Sequence, residues 1–285
     1  MKGCLPRRAG LRCLFYLVVG VAAALAGGAA QAGETLRIGG AGAALGAIHR
    51  LGEEFTRDHP EVEVKVLPYI GSTGAIQGVA GGQLGLGVTA RPARGDEQRL
   101  PVRLQPYAVT PFVIGVHPDV PVTELSRRQL VEIYAGRLTH WEDGRPLRVI
   151  LRLPRETDND VLREMGPEME AALASALQRP GMRRAATDQD MADILERTPG
   201  AVGPTTLGLL VSEHRRVKVL AVDGVVPSLD TLRDGSYPLF KRLYLVLPDA
   251  PSPAVAAFVA FLQSARGQAI LRDNAQQPLV RGSAR

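Results

Sequence analysis

The amino-acid sequence predicts an α/β fold, and three observations support this. Short aliphatic and β-branched runs alternate with segments whose apolar residues recur every three or four positions. Turns rich in Gly or Pro separate these segments. Apolar residues make up 45% of the 285 residues but aromatic residues only 5%, which suits short strands under small-residue helices. Such an alternating order predicts parallel strands joined by right-handed crossovers.

The first part of the chain after residue 33 has the predicted order strand, helix, strand, helix, strand. Pro60 ends the first helix, because proline lacks the backbone N–H and clashes with the preceding turn. The elements are strands at 35–39, 61–69 and 84–89, a helix through Leu45, Ile48, Leu51 and Phe55, and a helix at about 75–80.

The later elements continue the alternation. Ser126 is expected to cap one helix and Asp188 another, which Pro199-Gly200 ends, and Thr205-Thr206 opens a further helix. A pattern that continues past Thr110 fits either one doubly wound sheet or two smaller sheets. The predicted strands are 109–117, 148–153, 201–203, 217–222 and 243–247, and the predicted helices are 126–134, 158–165, 167–177 and one through Val255, Phe258, Val259 and Leu262.

The N-terminus has the three parts of a secretory signal peptide. Lys2, Arg7, Arg8 and Arg12 precede an apolar run at 14–26, and Ala30-Gln31-Ala32 is a small-residue cleavage site. We expect residues 1–32 to be removed and the protein to be periplasmic; an uncleaved membrane anchor is the alternative. Both cysteines, Cys4 and Cys13, lie in this leader, so the mature chain would have no disulfide, Cys-bound metal or Cys nucleophile.

The positive charge of the chain belongs mostly to this leader. Four of the 34 Lys and Arg residues lie in residues 1–32, which contain no Asp or Glu. The remainder therefore has 30 basic and 29 acidic residues, a net charge of +1 instead of the +5 of the whole chain. A basic surface for nucleic acid is not expected, since phosphate backbones require clustered Lys and Arg.

Two Gly-rich junctions, 39–44 and 71–75, lead from a strand into a helix and predict an anion site. The first N–H groups of a helix have no partner within it, and the helix dipole adds partial positive charge there. Glycine lets a ligand approach the backbone closely, and Ser72 and Thr73 add hydroxyl donors. The alternative is that both junctions are ordinary tight turns.

No arrangement of residues predicts catalysis, a metal or a cofactor. The segment 71–74 is neither a nucleophile elbow nor a phosphate-binding Walker loop. Asp158 and Asp160 point apart at a helix start, so they do not form a paired acid and base. The histidines lie one per element, without metal-ligand spacing: His49, His59, His117, His140 and His214.

Several motifs in order along the chain resemble the phosphate-binding proteins of bacterial ABC importers. The clearest is Thr110–Asp119, followed by Leu125–Arg137 and then Thr139-His140-Trp141. Weaker matches are Gly71–Gly74, Pro199–Gly203, Val222–Pro227, Tyr237-Pro238, Leu243–Val246 and the tail from Phe258 to Leu279. The resemblance implies a two-lobed type II periplasmic binding protein, each lobe a small mixed or parallel sheet flanked by helices. It places lobe 1 at 33–109 with 206–285 and lobe 2 at 110–205.

By this resemblance the ligand would bind in the cleft between the lobes. Asp158 and Asp160 would repel a dianion there, but Asp158 is expected to cap the helix that starts beside it. Arg91 is expected to contact the ligand, with a solvated surface position as the alternative. The candidate ligand-binding residues are Gly40, Ala41, Gly42, Ala43, Gly71, Ser72, Thr73, Gly74, Thr89, Arg91, Arg152, Arg155 and Thr157.

The chain departs from the family pattern at three places. Ala41–Ala43 stand where the family has Ser or Thr hydroxyls, and Ala90 stands at or near an acidic position. The family's Arg followed by Ser-Gly-Thr is missing, and 152–160 stands in its place. Either Arg91, Arg152 or Arg155 therefore clamps the anion through its paired donors, or the ligand is not phosphate.

The function implied is an extracytoplasmic solute-binding protein of an ABC importer, which binds a small oxyanion, phosphate or similar, and delivers it to a membrane permease. A monomer is the family expectation. Two alternatives remain open: an orphan sensing subunit of the same fold, and an exported enzyme that has lost the anion site.

Overall fold

The computed structural model describes Met1, Gly3 and residues 34–279. Apart from Met1 and Gly3, the predicted signal peptide at 1–32 therefore lies outside the described residues. The compact unit that begins at Glu34 is described below.

The first five elements have the predicted order, and the three strands among them pair in parallel. β1 (Glu34–Gly40) pairs with β2 (Val62–Val66) on one side and with β3 (Leu86–Thr89) on the other. The second helix begins at Gly71, four residues before its predicted start, because Gly71 adopts a φ of 72° and turns the chain in a single step. The bounds are β1 Glu34–Gly40, α1 Gly42–Asp58, β2 Val62–Val66, α2 Gly71–Ala80 and β3 Leu86–Thr89.

A long strand follows, together with the predicted capped helix. Ser126 caps this helix: Gln129 N donates to Ser126 Oγ at 3.2 Å, and Ser126 N donates to Gln129 Oε1 at 2.8 Å. The strand begins seven residues before the predicted 109, because its first half also finds pairing partners. The bounds are a short 3-10 helix Gly95–Arg99, β4 Val102–Val116, β5 Glu124–Leu125 and α3 Arg127–Ala135.

The middle elements differ in detail from the prediction. The expected strand 148–153 is interrupted at Ile150, because its two halves pair with different strands. The prediction that Asp188 caps its helix was wrong: Thr187 is the cap, and its Oγ1 accepts a hydrogen bond from Asp190 N at 2.9 Å. The bounds are β6 Arg148–Val149, β7 Leu151–Arg152, α4 Thr157–Arg163, α5 Pro167–Gln178, β8 Arg184–Ala185, α6 Asp188–Arg197, β9 Ala201–Thr206 and α7 Leu207–Ser212.

The last elements include the expected strand near 243 and the expected amphipathic helix. The predicted strand 217–222 is divided like 148–153, since its halves pair with β4 and β5. The bounds are β10 Lys218–Val219, β11 Ala221–Val222, α8 Leu229–Arg233, β12 Phe240–Pro248, α9 Pro253–Gln263, α10 Ala265–Asp273 and β13 Gln277–Pro278.

A nine-stranded mixed sheet runs through the unit in the order β2-β1-β3-β12-β4-β9-β6, and β10 and β13 also pair with β4. The first half of β4 pairs with β12 and β13, and its second half pairs with β9 and β10. Helices flank this sheet, which confirms the predicted α/β class.

Two large hydrophobic cores lie on either side of the middle of β4. The first combines residues from 36–108 and 243–271, including Ile48, Phe55 and Phe258. The second combines residues from 112–239, including Phe112 and Tyr134. The chain crosses between the cores in β4 and again at the start of β12. These two crossings are paired with each other, Thr110 opposite Lys241.

Within the described residues no single helix is long and apolar enough to cross a membrane. The pair α9 and α10, bent by 68° at the break between them, meets the length and composition requirement only when the two are taken together.

Candidate functional site

The start of α1 faces Asp188, the first residue of α6. Gly40, at the end of β1, has no room for a side chain, since a Cβ there would lie 1.8 Å from Val88 O. Ala41 N donates to Val88 O at 2.9 Å, so this N–H is already used. A Cβ at Gly42 would lie 2.8 Å from Asp188 Oδ2. The predicted anion position at Ala41–Ala43 therefore lies against the Asp188 carboxylate.

The start of α2 uses its hydroxyl groups within the protein. Ser72 Oγ accepts a hydrogen bond from Ala90 N at 3.2 Å. Thr73 Oγ1 donates to Glu97 Oε1 at 2.9 Å and accepts from Arg91 Nη2 at 2.8 Å. Ser72 therefore keeps its own hydroxyl proton for another acceptor, whereas Thr73 does not.

Arg91 is buried in a neutral pair within its own loop. Its guanidinium donates to both carboxylate oxygens of Glu97, at 2.6 and 2.8 Å, and to Pro92 O at 2.9 Å. These hydrogen bonds lower the pKa of Glu97 to about 2. Thr89 Oγ1 donates to Arg91 O at 2.8 Å. The surface position considered for Arg91 was wrong, since only 8% of it is exposed. Its role as an anion contact stays a prediction, because both terminal nitrogens of its guanidinium already donate to Glu97.

Arg152 is fully buried among three carboxylates. Its Nε lies 3.2 Å from Asp158 Oδ2, and its Nη2 lies 3.1 Å from Glu156 Oε2 and 3.5 Å from Asp188 Oδ1. Its Nη1 donates to Thr187 O. The expected capping role of Asp158 was wrong, because the cap position of α4 is Glu156 and Asp158 turns inward to Arg152.

Lys241 completes this group from the start of β12. Its Nζ lies 2.8 Å from Asp158 Oδ2 and 3.5 Å from Asp188 Oδ1, and it is 3% exposed. Burial alone would lower the pKa of Lys241, but the two carboxylates outweigh burial and raise it. Burial would likewise raise the pKa of Asp158, but Lys241 and Arg152 lower it. Both groups are therefore charged. We call Arg152, Glu156, Asp158, Asp188 and Lys241 the central charge cluster.

Contacts join the start of α2 to the central charge cluster. A Cβ at Gly71 would lie 3.3 Å from Tyr69 Oη, and Tyr69 Oη lies 3.4 Å from Glu156 Oε2. Burial, followed by the Glu156 charge, raises the pKa of Tyr69, so its hydroxyl keeps its proton. Arg94 Nη2 lies 2.5 Å from Asp160 Oδ2 at the edge of the same boundary. The predicted site segments thus meet at the boundary between the two cores.

One carboxylate oxygen of the central charge cluster has no hydrogen-bond partner among residues 34–279. Asp158 Oδ2 is shared by Lys241 and Arg152, whereas Asp158 Oδ1 is buried and forms no hydrogen bond with any described residue. Buried polar atoms are nearly always paired, so such an atom marks either strain or a contact made in another state.

Two further candidates lie just before and at the start of α4. Arg155 is exposed, and Thr157 is the first residue of α4. Sequence reasoning missed Lys241, Glu156 and Asp188 as site residues. The sequence could have indicated that Lys241 is buried, because alternate residues of a strand face the same side. Lys241 is followed at alternate positions by Leu243, Leu245 and Leu247, which all face the interior.

A family model described as a PBP superfamily domain matches residues 26–266. The chain belongs to this family. Its relatives include the phosphate-binding protein PstS of Bacillus subtilis, 24% identical over 240 residues, which cover 83% of this chain and 78% of that protein.

Solved structures show the same fold. A phosphate ABC transporter substrate-binding protein from Clostridium perfringens, with bound phosphate, superposes with a TM-score of 0.74 at 19% identity, over 87% of this PBP-family chain and 100% of that one. A phosphate-binding protein from Stenotrophomonas maltophilia gives 0.66 at 14% identity, over 86% and 91%. The family and the predicted fold are thereby confirmed.

Proposed function

We propose that the protein is an extracytoplasmic solute-binding protein that binds a small oxyanion, phosphate or similar, between its two cores. The observation that carries this proposal is the start of α2 at that boundary, where Ser72 Oγ donates to no described residue and Tyr69 connects the turn to the central charge cluster. The first backbone N–H groups of a helix have no partner within it, and proteins hold anions there. The named functions of the relatives, which are phosphate-binding proteins, support the same class.

The two cores correspond to the two lobes in this proposal. Leu220, Val222, Tyr237 and Leu239 belong to the second core. This packing favours a return to lobe 1 near residue 240 instead of the predicted 206. In this arrangement lobe 1 is 33–109 with 240–285, and lobe 2 is 110–239. Binding would shift a hinge equilibrium towards the closed form, which requires that the ligand binds this form better.

The proposal includes delivery of the solute to a membrane permease, a periplasmic location and no catalysis. The sensing subunit and the exported enzyme remain the alternatives, and neither is favoured by a particular contact. Turnover of phosphate esters by the purified protein would support the enzyme, whereas a neighbouring permease and ATPase gene pair would support import.

The test is calorimetric and thermal-shift titration of the purified protein with phosphate, sulfate, molybdate, phosphonates, small carboxylates and neutral sugars. An oxyanion at 100 times its Kd adds about 2.7 kcal/mol to the free energy of unfolding. The expected rise in Tm is roughly 5–10 °C. Ser72→Ala removes one donor to a charged ligand and should weaken binding about 10- to 100-fold.

Ser236→Ala is the matched control, since Ser236 is an exposed serine whose Oγ donates to Thr231 O, and its loss should not alter affinity. Binding of neutral sugars alone, with no response to any oxyanion, would contradict the proposal.

A further inference from the structure

The positive and negative charges of the central charge cluster are not equal in number. It holds three carboxylates, Glu156, Asp158 and Asp188, against two cations, Arg152 and Lys241, which leaves one net negative charge. Both cations already contact carboxylates at 2.8–3.5 Å. A dianion entering this group would therefore meet an excess of negative charge rather than free donors. Burial raises the pKa of Glu156; the Arg152 charge opposes this shift, and the charges of Asp188 and Asp158 add to it.

The unpartnered atom in this cluster is an acceptor. Asp158 Oδ1 is buried without a hydrogen bond, whereas the other oxygen of the same carboxylate receives two charged donors. An ionised carboxylate oxygen can only accept. The partner that satisfies it must therefore be a donor, and the charge excess favours a positive one.

The missing positive charge is not assigned to a metal. Among residues 34–279 no group of three or more His, Cys, Asp or Glu side chains is placed to hold a metal ion. An organic N–H cation satisfies both requirements, because it supplies a hydrogen bond and a single charge.

An anion has a place nearby, outside the excess of carboxylates. The Ser72 hydroxyl accepts from Ala90 N but donates to no described residue. It lies in the first turn of α2, where backbone N–H groups face outward. Gly71 beside it lies next to Tyr69 Oη, which lies 3.4 Å from Glu156 Oε2, so this anion position adjoins the central charge cluster.

We propose that the solute carries a protonated amine as well as an oxyanion group, with the amine bound by Asp158 Oδ1 and the oxyanion by the start of α2. This inference rests on the proposed function of the cleft. The solute is a short aminoalkyl phosphonate or phosphate, and it enters when the Tyr69–Glu156 and Arg94–Asp160 contacts across the boundary separate. Bare phosphate lacks the amine and binds more weakly.

The experiment is calorimetric titration of the purified protein with paired probes that differ only in the amine. 2-Aminoethylphosphonate is compared with propylphosphonate, and phosphoethanolamine with propyl phosphate, and inorganic phosphate is included. We expect the amine-bearing member of at least one pair to bind at least 10-fold more tightly than its alkyl partner and than phosphate.

Asp158→Asn should reduce this preference to about 3-fold or less. Asp230→Asn is the control, since Asp230 is exposed, pairs with Arg233 outside the cluster and should leave the preference unchanged. If Asp158→Asn does not fold, the double variant Asp158→Asn with Lys241→Met removes both members of the buried pair and should show the same loss.

The outcomes separate the two proposals. Binding of phosphate or the alkyl probes as tightly as the amines would overturn the amine site and leave the oxyanion function standing. No binding of any of these probes, nor of sulfate, molybdate or small carboxylates, would overturn both. An amine preference that persists in Asp158→Asn would overturn the assignment to Asp158.

Discussion

Two buried arginines, one in each half of the chain, are held in opposite ways. Arg91 is matched by one carboxylate, Glu97, six residues away in the same loop, and the pair is neutral. Arg152 contacts carboxylates from α6 and from the start of α4, and shares two of them with a lysine from β12. The first arrangement needs only its own loop. The second exists only when distant segments come together.

The two arrangements therefore differ in whether a bound partner is needed to complete their hydrogen bonds. The Arg91–Glu97 pair satisfies both of its members, so nothing that binds to the protein is needed to complete it. The central charge cluster leaves Asp158 Oδ1 unsatisfied. An arrangement that a partner completes gives that partner a differential affinity for the state in which the arrangement forms, as a ligand-driven shift requires.

The largest effect should come from removing the lysine of the cluster. Lys241→Met leaves Asp158 and Asp188 buried with less compensation, and we expect the free energy of unfolding to fall by about 3–5 kcal/mol. Urea unfolding measures this. Lys65→Met is the control, because Lys65 pairs with Glu63 on the surface and should cost less than about 1 kcal/mol. A loss at Lys241 no larger than at Lys65 would show that the cluster does not stabilise the fold.

A smaller loss is expected for the local pair. Glu97→Gln removes charged hydrogen bonds from Arg91, and the free energy of unfolding should fall by about 1.5–3 kcal/mol. Asp96→Asn changes the neighbouring carboxylate, which pairs with Arg99 in an exposed position. It should change stability by less than about 0.5 kcal/mol. Equal effects at 96 and 97 would contradict the assignment.

The same pair should be visible in the pH dependence of stability. The pKa of Glu97 is about 2 in the folded protein, below its ordinary value of 4.5. Its contribution is therefore complete above pH 4.5 and is lost as the pH falls from 4.5 towards 2. The difference in unfolding free energy between wild type and Glu97→Gln should shrink between pH 6 and pH 3. A difference that stays constant across this range would exclude a lowered pKa.

The smallest effect should come from the contact that joins the two regions. Arg94 follows Arg91 in its loop and lies 2.5 Å from Asp160 of α4, with both side chains partly exposed. A double-mutant cycle with Arg94→Gln and Asp160→Asn should give a coupling energy of about 0.2–1 kcal/mol, reduced by added salt. A salt-independent coupling well above this range would mean that the pair belongs with the buried ones.

The sequence predicted most of the elements because their signals are local. Apolar spacing placed α1 and α9, and Ser126 placed the start of α3. Strand boundaries were predicted less well. The division of 148–153 depends on pairing with β8 and β9, which lie about 35 to 50 residues further along.

The role of the candidate residues in ligand binding stays a prediction, and the charges around them were not predicted. The starts of α1 and α2 lie together at the boundary between the cores, where Ile70 N donates to Gly40 O at 3.3 Å. Asp158 was assigned to helix capping because that is the common role of Asp at such a position. Its actual partners, Arg152 and Lys241, lie 6 and 83 residues away, and no local pattern states that they meet.

The position of Lys241 has a mechanical consequence. The chain passes between the cores at Thr110 in β4 and at Lys241 in β12, and these residues are paired. If one core rotates against the other, this pair of strands acts as the hinge axis, and atoms close to that axis move least. Lys241 and its carboxylates then keep their spacing at every opening angle, while Tyr69 and Arg94, further out, swing away from Glu156 and Asp160. The solute would meet a central charge cluster that is already assembled, and the contacts of Tyr69 and Arg94 would then close over it.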